Sequence, residues 1–200
     1  GEAPSEMLWL LGPDGLQAYD QLVAHEPAAL TKAFAASGFY VLRDGWSPES
    51  SYLFIDCGLH GVSNAGHAHS DALAFEYAAA GATWLVDPGT YTYTGDLPLR
   101  NSMRNSRNHN TLSVDGQSQS VPRTAFTWEH TARALVREVR VTADSAYFAG
   151  QQNGYTRLAD PVRQQRSFLL QQPDAETPGH LLIRDVLSAK QVHEYQWHFH

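Results

Sequence analysis

Most of the chain consists of short runs of β-forming residues that are interrupted by turn residues. Valine, isoleucine, threonine and aromatic residues are concentrated in these runs, and Gly38, Asp44-Gly45 and Gly58 separate the first of them. The runs are 32–36, 39–43, 52–57, 72–79, 83–87, 111–114, 134–141, 146–150, 166–171, 180–187 and 193–200. Many short strands joined by turns are typical of a β-sandwich or a β-barrel. The pattern therefore predicts an all-β domain over residues 31–200.

Two segments depart from this pattern. Residues 5–24 have helical character, with Ser5 as a candidate N-cap and Pro13-Asp14 opening a second short helix. We therefore predict that residues 1–30 are the end of an upstream helical domain and its linker, and that the chain is a fragment whose β domain is truncated at its C-terminus. The other exception, 93–108, is a long polar segment, and loops of that length are usually functional or disordered.

Composition excludes several classes of protein. A hydrophobic content of 42% is that of an ordinary globular chain. The formal net charge of −7 gives no overall attraction to nucleic acid or to an anionic membrane, and no run approaches the length of a membrane span. The single cysteine, Cys57, allows no intrachain disulfide and is expected to be a buried apolar residue.

The polar chemistry is concentrated in three stretches, which are 66–71, 85–89 and 107–111. In an extended chain His67, His69 and Asp71 project to one side, and imidazoles with a carboxylate suit Zn²⁺ or a related divalent ion. The spacing alone fits a metal or catalytic site and a solvated polar turn equally well. Taken singly, Asp87 before Pro88-Gly89 fits a turn aspartate, and His109 fits a loop histidine.

Together the three stretches resemble a known family. Gly66-His-Ala-His-Ser-Asp71, then Asp87-Pro-Gly-Thr-Tyr91, then His109-Asn-Thr111 leading into Val114-Asp-Gly116, match in order the blocks of the heparinase II/III-like polysaccharide lyases. The resemblance covers most of residues 34–200. It implies an antiparallel β-sandwich of the supersandwich type, preceded by an α/α toroid of which residues 1–25 would be the last helical piece.

The resemblance also implies roles for individual residues. It matches His69, Asp87 and His109 to metal ligands, usually for zinc, and His67 to a histidine that faces the substrate. The spacing favours Asp71 as the carboxylate ligand, but we follow the resemblance in choosing Asp87. Asp71 and Asn108 are then expected to support the ligands from outside the coordination sphere.

The implied reaction is β-elimination of uronic-acid polysaccharides, with His67 as the predicted catalytic residue. Tyr91, Tyr93 and Arg104 are candidates for contacts with the acidic glycan, although turn packing explains the tyrosines equally well and a solvated loop explains the arginine. Family members take their catalytic tyrosine and its partner from the toroid. We therefore predict that the present chain binds metal but cleaves nothing alone.

Two other classes of function stay open at this point. A carbohydrate-binding β-sandwich would keep the aromatic residues without needing His67, and a metal-dependent hydrolase would use an open metal position to activate water. The resemblance implies a periplasmic or secreted bacterial protein and leaves a homodimer open. The sequence does not specify which polysaccharide is bound.

Overall fold

The structure, a computed structural model, describes residues 5–23, 25–61 and 63–200. Its N-terminal helix α1 spans Ser5–Asp20 and is broken at Gly12, where φ is 68° and Pro13 follows. The expected pair of short helices is therefore present. The end of the expected helical region at Ala24, and residues 1–4 of the expected upstream domain, lie outside the described residues. No helix within the described part of the chain is both long and apolar enough to cross a bilayer.

The rest of the described chain is mainly β-structure, with one further α-helix and two short 3-10 helices. The strands are β1 (Lys32–Phe34), β2 (Phe39–Arg43), β3 (Tyr52–Asp56), β4 (Phe75–Ala79), β5 (Ala82–Leu85), β6 (Leu112–Val114), β7 (Val121–Thr124), β8 (Thr127–His130), β9 (Ala134–Val141), β10 (Ser145–Gln152), β11 (Arg163–Gln171), β12 (His180–Ser188) and β13 (Tyr195–Trp197). Helix α2 spans Leu97–Met103, and the 3-10 helices span Ser106–Asn108 and Gly154–Arg157.

The strands form two main antiparallel sheets. One is the meander β1-β2-β3-β4-β5, and the other has the order β12-β11-β10-β9. Ala80 and Gly81 join β4 to β5 with φ values of 51° and 72°, which is the geometry of a tight hairpin turn. This hairpin confirms the turn that the sequence predicts there. Two small pairs, β13-β6 and β7-β8, complete the described sheets.

The two main sheets pack face to face around one apolar core. Alternate residues of β2 and β3 are buried, as period-two strands require. Across the layers, the ring centroids of Tyr40 and Phe148 lie 4.7 Å apart, and those of Phe75 and Phe168 lie 5.1 Å apart. Cys57 is buried at the same core, as expected. The observed fold is therefore the predicted all-β sandwich.

Segment 93–108 is not a continuous loop, as the sequence predicts, but contains two short helices. It contains α2, whose N-cap Asp96 accepts a hydrogen bond from the Leu99 amide at 2.9 Å, and the 3-10 helix at Ser106–Asn108. Seven residues are too few to show apolar periodicity, so the pattern did not reveal this helix. Strands β7 and β8 were also missed, and the alternating run 193–200 is paired only at β13.

A buried ion pair within the second sheet is hydrogen-bonded to the loop before β4 and to the third polar stretch. Arg166 on β11 lies opposite Asp185 on β12 and forms a salt bridge of 2.9 Å with it. The same guanidinium donates to the carbonyls of Leu73 at 3.2 Å and Asn110 at 2.8 Å. Burial alone would raise the pKa of Asp185, but the hydrogen bonds from Arg166 and its neighbours hold it below its ordinary value.

We expect Arg166→Met to lower the free energy of unfolding by about 3–5 kcal/mol, because it leaves the buried Asp185 charge and two carbonyls without their donor. Urea denaturation measures this loss. Arg163→Met removes an exposed arginine from the same strand and is the matched control, expected to change stability by about 0.5 kcal/mol or less. Equal losses of stability in the two variants would contradict a stabilising role for the buried Arg166–Asp185 ion pair.

Candidate metal centre and adjoining cleft

The loop between β3 and β4 forms a cleft of about 500 Å³, lined by His60, His67, His69 and Asp71 among others. Three contacts from later in the chain hold this loop. The Ser70 amide donates to the Arg104 carbonyl at 2.9 Å, and the Ser106 hydroxyl donates to the Ser70 carbonyl at 2.6 Å. The Trp128 indole donates to the Ala65 carbonyl at 2.8 Å.

His67 is the exposed histidine of this loop. Its Nδ1 lies 3.4 Å from the hydroxyl of Tyr93, and the two rings meet edge to face with centroids 5.2 Å apart. The Phe126 ring lies 6.3 Å from the Tyr93 centroid, in a stacked arrangement, and 6.5 Å from that of His67. His67 therefore faces the cleft beside an aromatic pair and is accessible to a ligand.

His69 and His109 lie together behind the cleft. Their rings are 5.0 Å apart, and His69 Nε2 lies 3.0 Å from the Thr90 hydroxyl. His109 is fully buried, with Nδ1 2.5 Å from Asp87 Oδ2, whereas its Nε2 has no hydrogen-bond partner. A buried nitrogen without a partner is costly in a protein interior unless another group binds it.

Both candidate carboxylates reach this histidine pair. Ligand atoms of His69, Asp71 and His109 all lie within 4.8 Å of one another. Asp87 contacts His109 through Oδ2, and its Oδ1 accepts a hydrogen bond from the Gly89 amide at 2.8 Å. Asp87 therefore uses one carboxylate oxygen to stabilise its own turn and the other to contact His109.

The electrostatics of the cluster suit a divalent cation. Burial first, and then His109, lowers the pKa of His69 to about 4, so its imidazole is neutral and has a lone pair to offer. Burial raises the pKa of Asp71, and burial together with Asp71 raises that of Asp56 to about 7. A nearby cation would favour the charged form of both carboxyls, and the nitrogen and oxygen donors fit Zn²⁺ or a related ion.

Within the Asp87–His109 contact the pKa values move apart. Burial alone would raise the pKa of Asp87 and lower that of His109, but the hydrogen bond between them reverses both effects. Asp87 therefore has a pKa below its ordinary value and His109 one above it.

The other predicted residues divide into two groups. Tyr91 is 80% exposed, and Tyr93 lies against His67, which lines the cleft. Arg104 instead is fully buried, donates to the carbonyls of Thr124 and Ala125, and lies 4.6 Å from the Trp128 ring centroid. Contact between Arg104 and a glycan would require these interactions to break, so its observed geometry is that of a structural residue.

The asparagines that flank His109 have different positions. The side chain of Asn108 donates to the Ser102 carbonyl at 2.6 Å, away from the histidine pair. Asn110 is buried and donates to the carbonyls of Phe75 at 2.8 Å and Val86 at 3.0 Å. Asn110, which the sequence analysis did not select, therefore holds the segment of His109 against that of Asp87.

These elements occur together in a known group of proteins. The chain belongs to the family described as heparinase II/III-like, C-terminal. The model of this family matches residues 26–200, which include both histidine stretches and both main sheets. The predicted family is thereby confirmed, and lyases that act on heparin sulfate by their names are among the relatives of this chain.

The chain is similar to parts of longer proteins. It is 33% identical over 98 residues to a heparin-sulfate lyase of Pedobacter heparinus and 34% identical over 95 residues to one of Bacteroides thetaiotaomicron. These matches cover 48% and 44% of the chain and 14% of each relative. The chain therefore spans about one seventh of the length of these curated relatives.

Solved structures support the same grouping. A heparan sulfate lyase, HepC, from Pedobacter heparinus matches with a TM-score of 0.61 and 25% identity, covering 83% of this chain and 23% of that one. A heparinase III gene product matches with a TM-score of 0.65 and 21% identity, covering 86% and 24%. The second likeness concerns the fold alone.

We expect Asn110→Ala to lower the free energy of unfolding by about 1–3 kcal/mol, because it leaves buried carbonyl groups without a donor. Asn108→Ala is the matched control, since Asn108 loses only a partly exposed contact, and it is expected to cost about 0.5 kcal/mol or less. Thermal and urea unfolding compare the two variants. A larger loss for Asn108 would show that the two asparagines have been assigned the wrong roles.

Proposed function

We propose that this chain is the metal-binding β-sandwich part of a polysaccharide lyase that cleaves uronic-acid glycans by β-elimination. The observation that carries the proposal is the position of His67, which is exposed in the cleft directly beside the buried cluster of His69, Asp71 and His109. The names of the relatives support the reaction class and favour heparan-type glycans as substrates.

The reaction requires removal of the C5 proton of a uronate and protonation of the leaving glycosidic oxygen. Because this proton is weakly acidic, donors must stabilise the negative charge that develops on the substrate carboxylate. His67 serves as such a donor or as a proton-transfer group. Its contact with Tyr93 uses Nδ1, which leaves Nε2 for the substrate.

A divalent cation, zinc or another, would be held by His69, His109 and a carboxylate, for which we retain Asp87. It would supply a fixed point joining three separate stretches of chain rather than an activated water, because elimination consumes no water. The unpartnered Nε2 of His109 supports a ligand at this histidine, and Asp87, which contacts Nδ1, would have to move to join the same ion. Asp71 is the alternative carboxylate, since it completes the cluster by distance.

The cellular setting and the rest of the polypeptide follow from the same proposal. With an acidic polysaccharide as its substrate, the protein is expected to act in the periplasm or outside the cell. An α/α toroid in the same polypeptide would supply the remaining catalytic groups. Carbohydrate binding without cleavage and metal-dependent hydrolysis are the competing outcomes of the tests below.

We expect His67→Ala in the full-length protein to lower kcat/KM on heparan sulfate by about 10²–10⁴-fold, the contribution typical of a proton-transfer group. The ultraviolet absorbance of the unsaturated product measures the rate. His180→Ala, at an exposed position at the start of β12, is the control and should retain full activity.

The same assay separates the competing functions. New reducing ends without ultraviolet absorbance would identify a hydrolase, and binding without either product would identify a carbohydrate-binding protein. The isolated chain of residues 1–200 is expected to give no product. Unsaturated product from this chain alone would contradict the proposed dependence on a toroid.

We expect the isolated chain to bind Zn²⁺ and to unfold at a lower temperature after treatment with a chelator, because a cation that binds only the folded state stabilises it. Asp87→Asn should weaken binding, measured by calorimetry, by more than about 100-fold. Asp71→Asn should weaken it by about 10–100-fold, as expected for a residue outside the coordination sphere. The reverse order would identify Asp71 as the ligand, and unchanged affinity in both variants would reject the site.

A further inference from the structure

Arg100 on α2 occupies a central position that the proposed function does not yet use. Its side chain is fully buried, yet no Asp or Glu in the described part of the chain forms an ion pair with it. Its Nε is buried without a hydrogen-bond partner. Burying a cation without a carboxylate is unfavourable. Stability of the fold alone therefore does not explain why Arg100 is buried here.

The guanidinium of Arg100 instead joins the loops that carry the cleft residues. Nη2 donates to the Gly66 carbonyl at 3.0 Å, next to His67, and Nη1 donates to the Thr90 hydroxyl. The guanidinium carbon lies 4.8 Å from the centroid of the Tyr93 ring, in a cation–π arrangement. One planar group therefore contacts the loop that carries Gly66, the segment that carries Thr90 and the ring of Tyr93.

These contacts determine where His67 meets Tyr93. His67 follows Gly66 directly, and its Nδ1 lies 3.4 Å from the Tyr93 hydroxyl. If Gly66 and Tyr93 moved independently, this distance would no longer be set. The rigid fork of an arginine can hold a carbonyl and a hydroxyl at the same time, whereas a lysine ammonium acts as a single point.

We propose that Arg100 is a positioning residue that holds the His67–Tyr93 pair in the geometry needed to engage an anionic glycan. This inference rests on the proposed lyase function, but its geometric part can be tested separately. Arg100 itself is buried and does not contact the substrate. Its effect is exerted through Gly66, Thr90 and Tyr93, and its Nη1 also lies 3.4 Å from Nε2 of His69.

The test compares Arg100→Met and Arg100→Lys in the full-length protein with heparan sulfate as the probe. Loss of positioning should lower kcat by about 100-fold in Arg100→Met, with KM changed by less than about threefold. Arg100→Lys should recover only part of this loss, because it restores the charge but not the fork. Hydrogen exchange should become faster at residues 64–69 and 88–93 in both variants.

Arg157→Met is the matched control for a purely structural effect. Arg157 also donates to backbone carbonyls, those of Gly154 at 2.7 Å and Ser118 at 2.8 Å, but lies outside the cleft. It should lower stability without changing kcat per folded molecule. If Arg100→Met behaved like this control, or left kcat within about twofold of the unmodified protein, the positioning role would be rejected.

Failure of the lyase proposal gives a different result. In that case the unmodified protein would form no unsaturated product, and kinetics would be uninformative. Hydrogen exchange and a crystal structure of Arg100→Met would then decide the inference. Faster exchange in both loops and loss of the contact between His67 and Tyr93 would support it, and unchanged exchange with the contact retained would overturn it.

Discussion

The buried guanidinium of Arg166 is the interaction on which the described structure depends most. It bonds to Asp185 across β11 and β12, and it donates to carbonyls on either side of the candidate site, at Leu73 and Asn110. The carboxylate of Asp185 also accepts from Gln164 and Trp197, each at 2.9 Å. The packing of the second sheet and the position of the segment that carries His109 thus both depend on the Arg166 guanidinium. Because a buried charge without its partner is strongly unfavourable, the sandwich cannot rearrange without also moving the site.

The candidate site has an acidic side and a basic side. Asp56, Asp71 and Asp87 lie together on the first, where a cation would offset their charge. Arg100 lies on the second, with Nη1 3.4 Å from His69 Nε2. His69 stands between the two sides, and its pKa is influenced in opposite directions by Asp87 and Arg100, although burial dominates.

The sequence predicted the sandwich better than it predicted the connections within it. Strands such as β2 and β9 were found at their observed ends, because continuous β-forming runs between turn residues determine strand ends locally. Helix α2 was missed because it is held by the Asp96 cap and by the hydrogen bonds of Arg100 to Gly66 and Thr90, and neither gives a periodic signal. The sequence also did not show that Asn110 is buried and bonds to two carbonyls, whereas Asn108 bonds only near the surface. Which of two similar residues faces the interior is set by distant strands, here β4 and the end of β5, and not by neighbours in sequence.

Residue spacing in the sequence did not predict how the two carboxylates reach the histidine pair. Alternation along an extended strand placed His67, His69 and Asp71 on one side, but residues 66–71 form turns and bends rather than a strand. The prediction that all three converge therefore rested on a conformation that the loop does not adopt. His67 and His69 in fact have different surroundings, one exposed beside Tyr93 and the other beside His109. Asp71 nevertheless lies near His69 and His109, because the loop returns to the sheet before β4. Asp71 lies near the two histidines because of the path of its loop, whereas Asp87 contacts His109 from the segment after β5. Because these two features are independent, the distances between ligand atoms select Asp71 and the family resemblance selects Asp87.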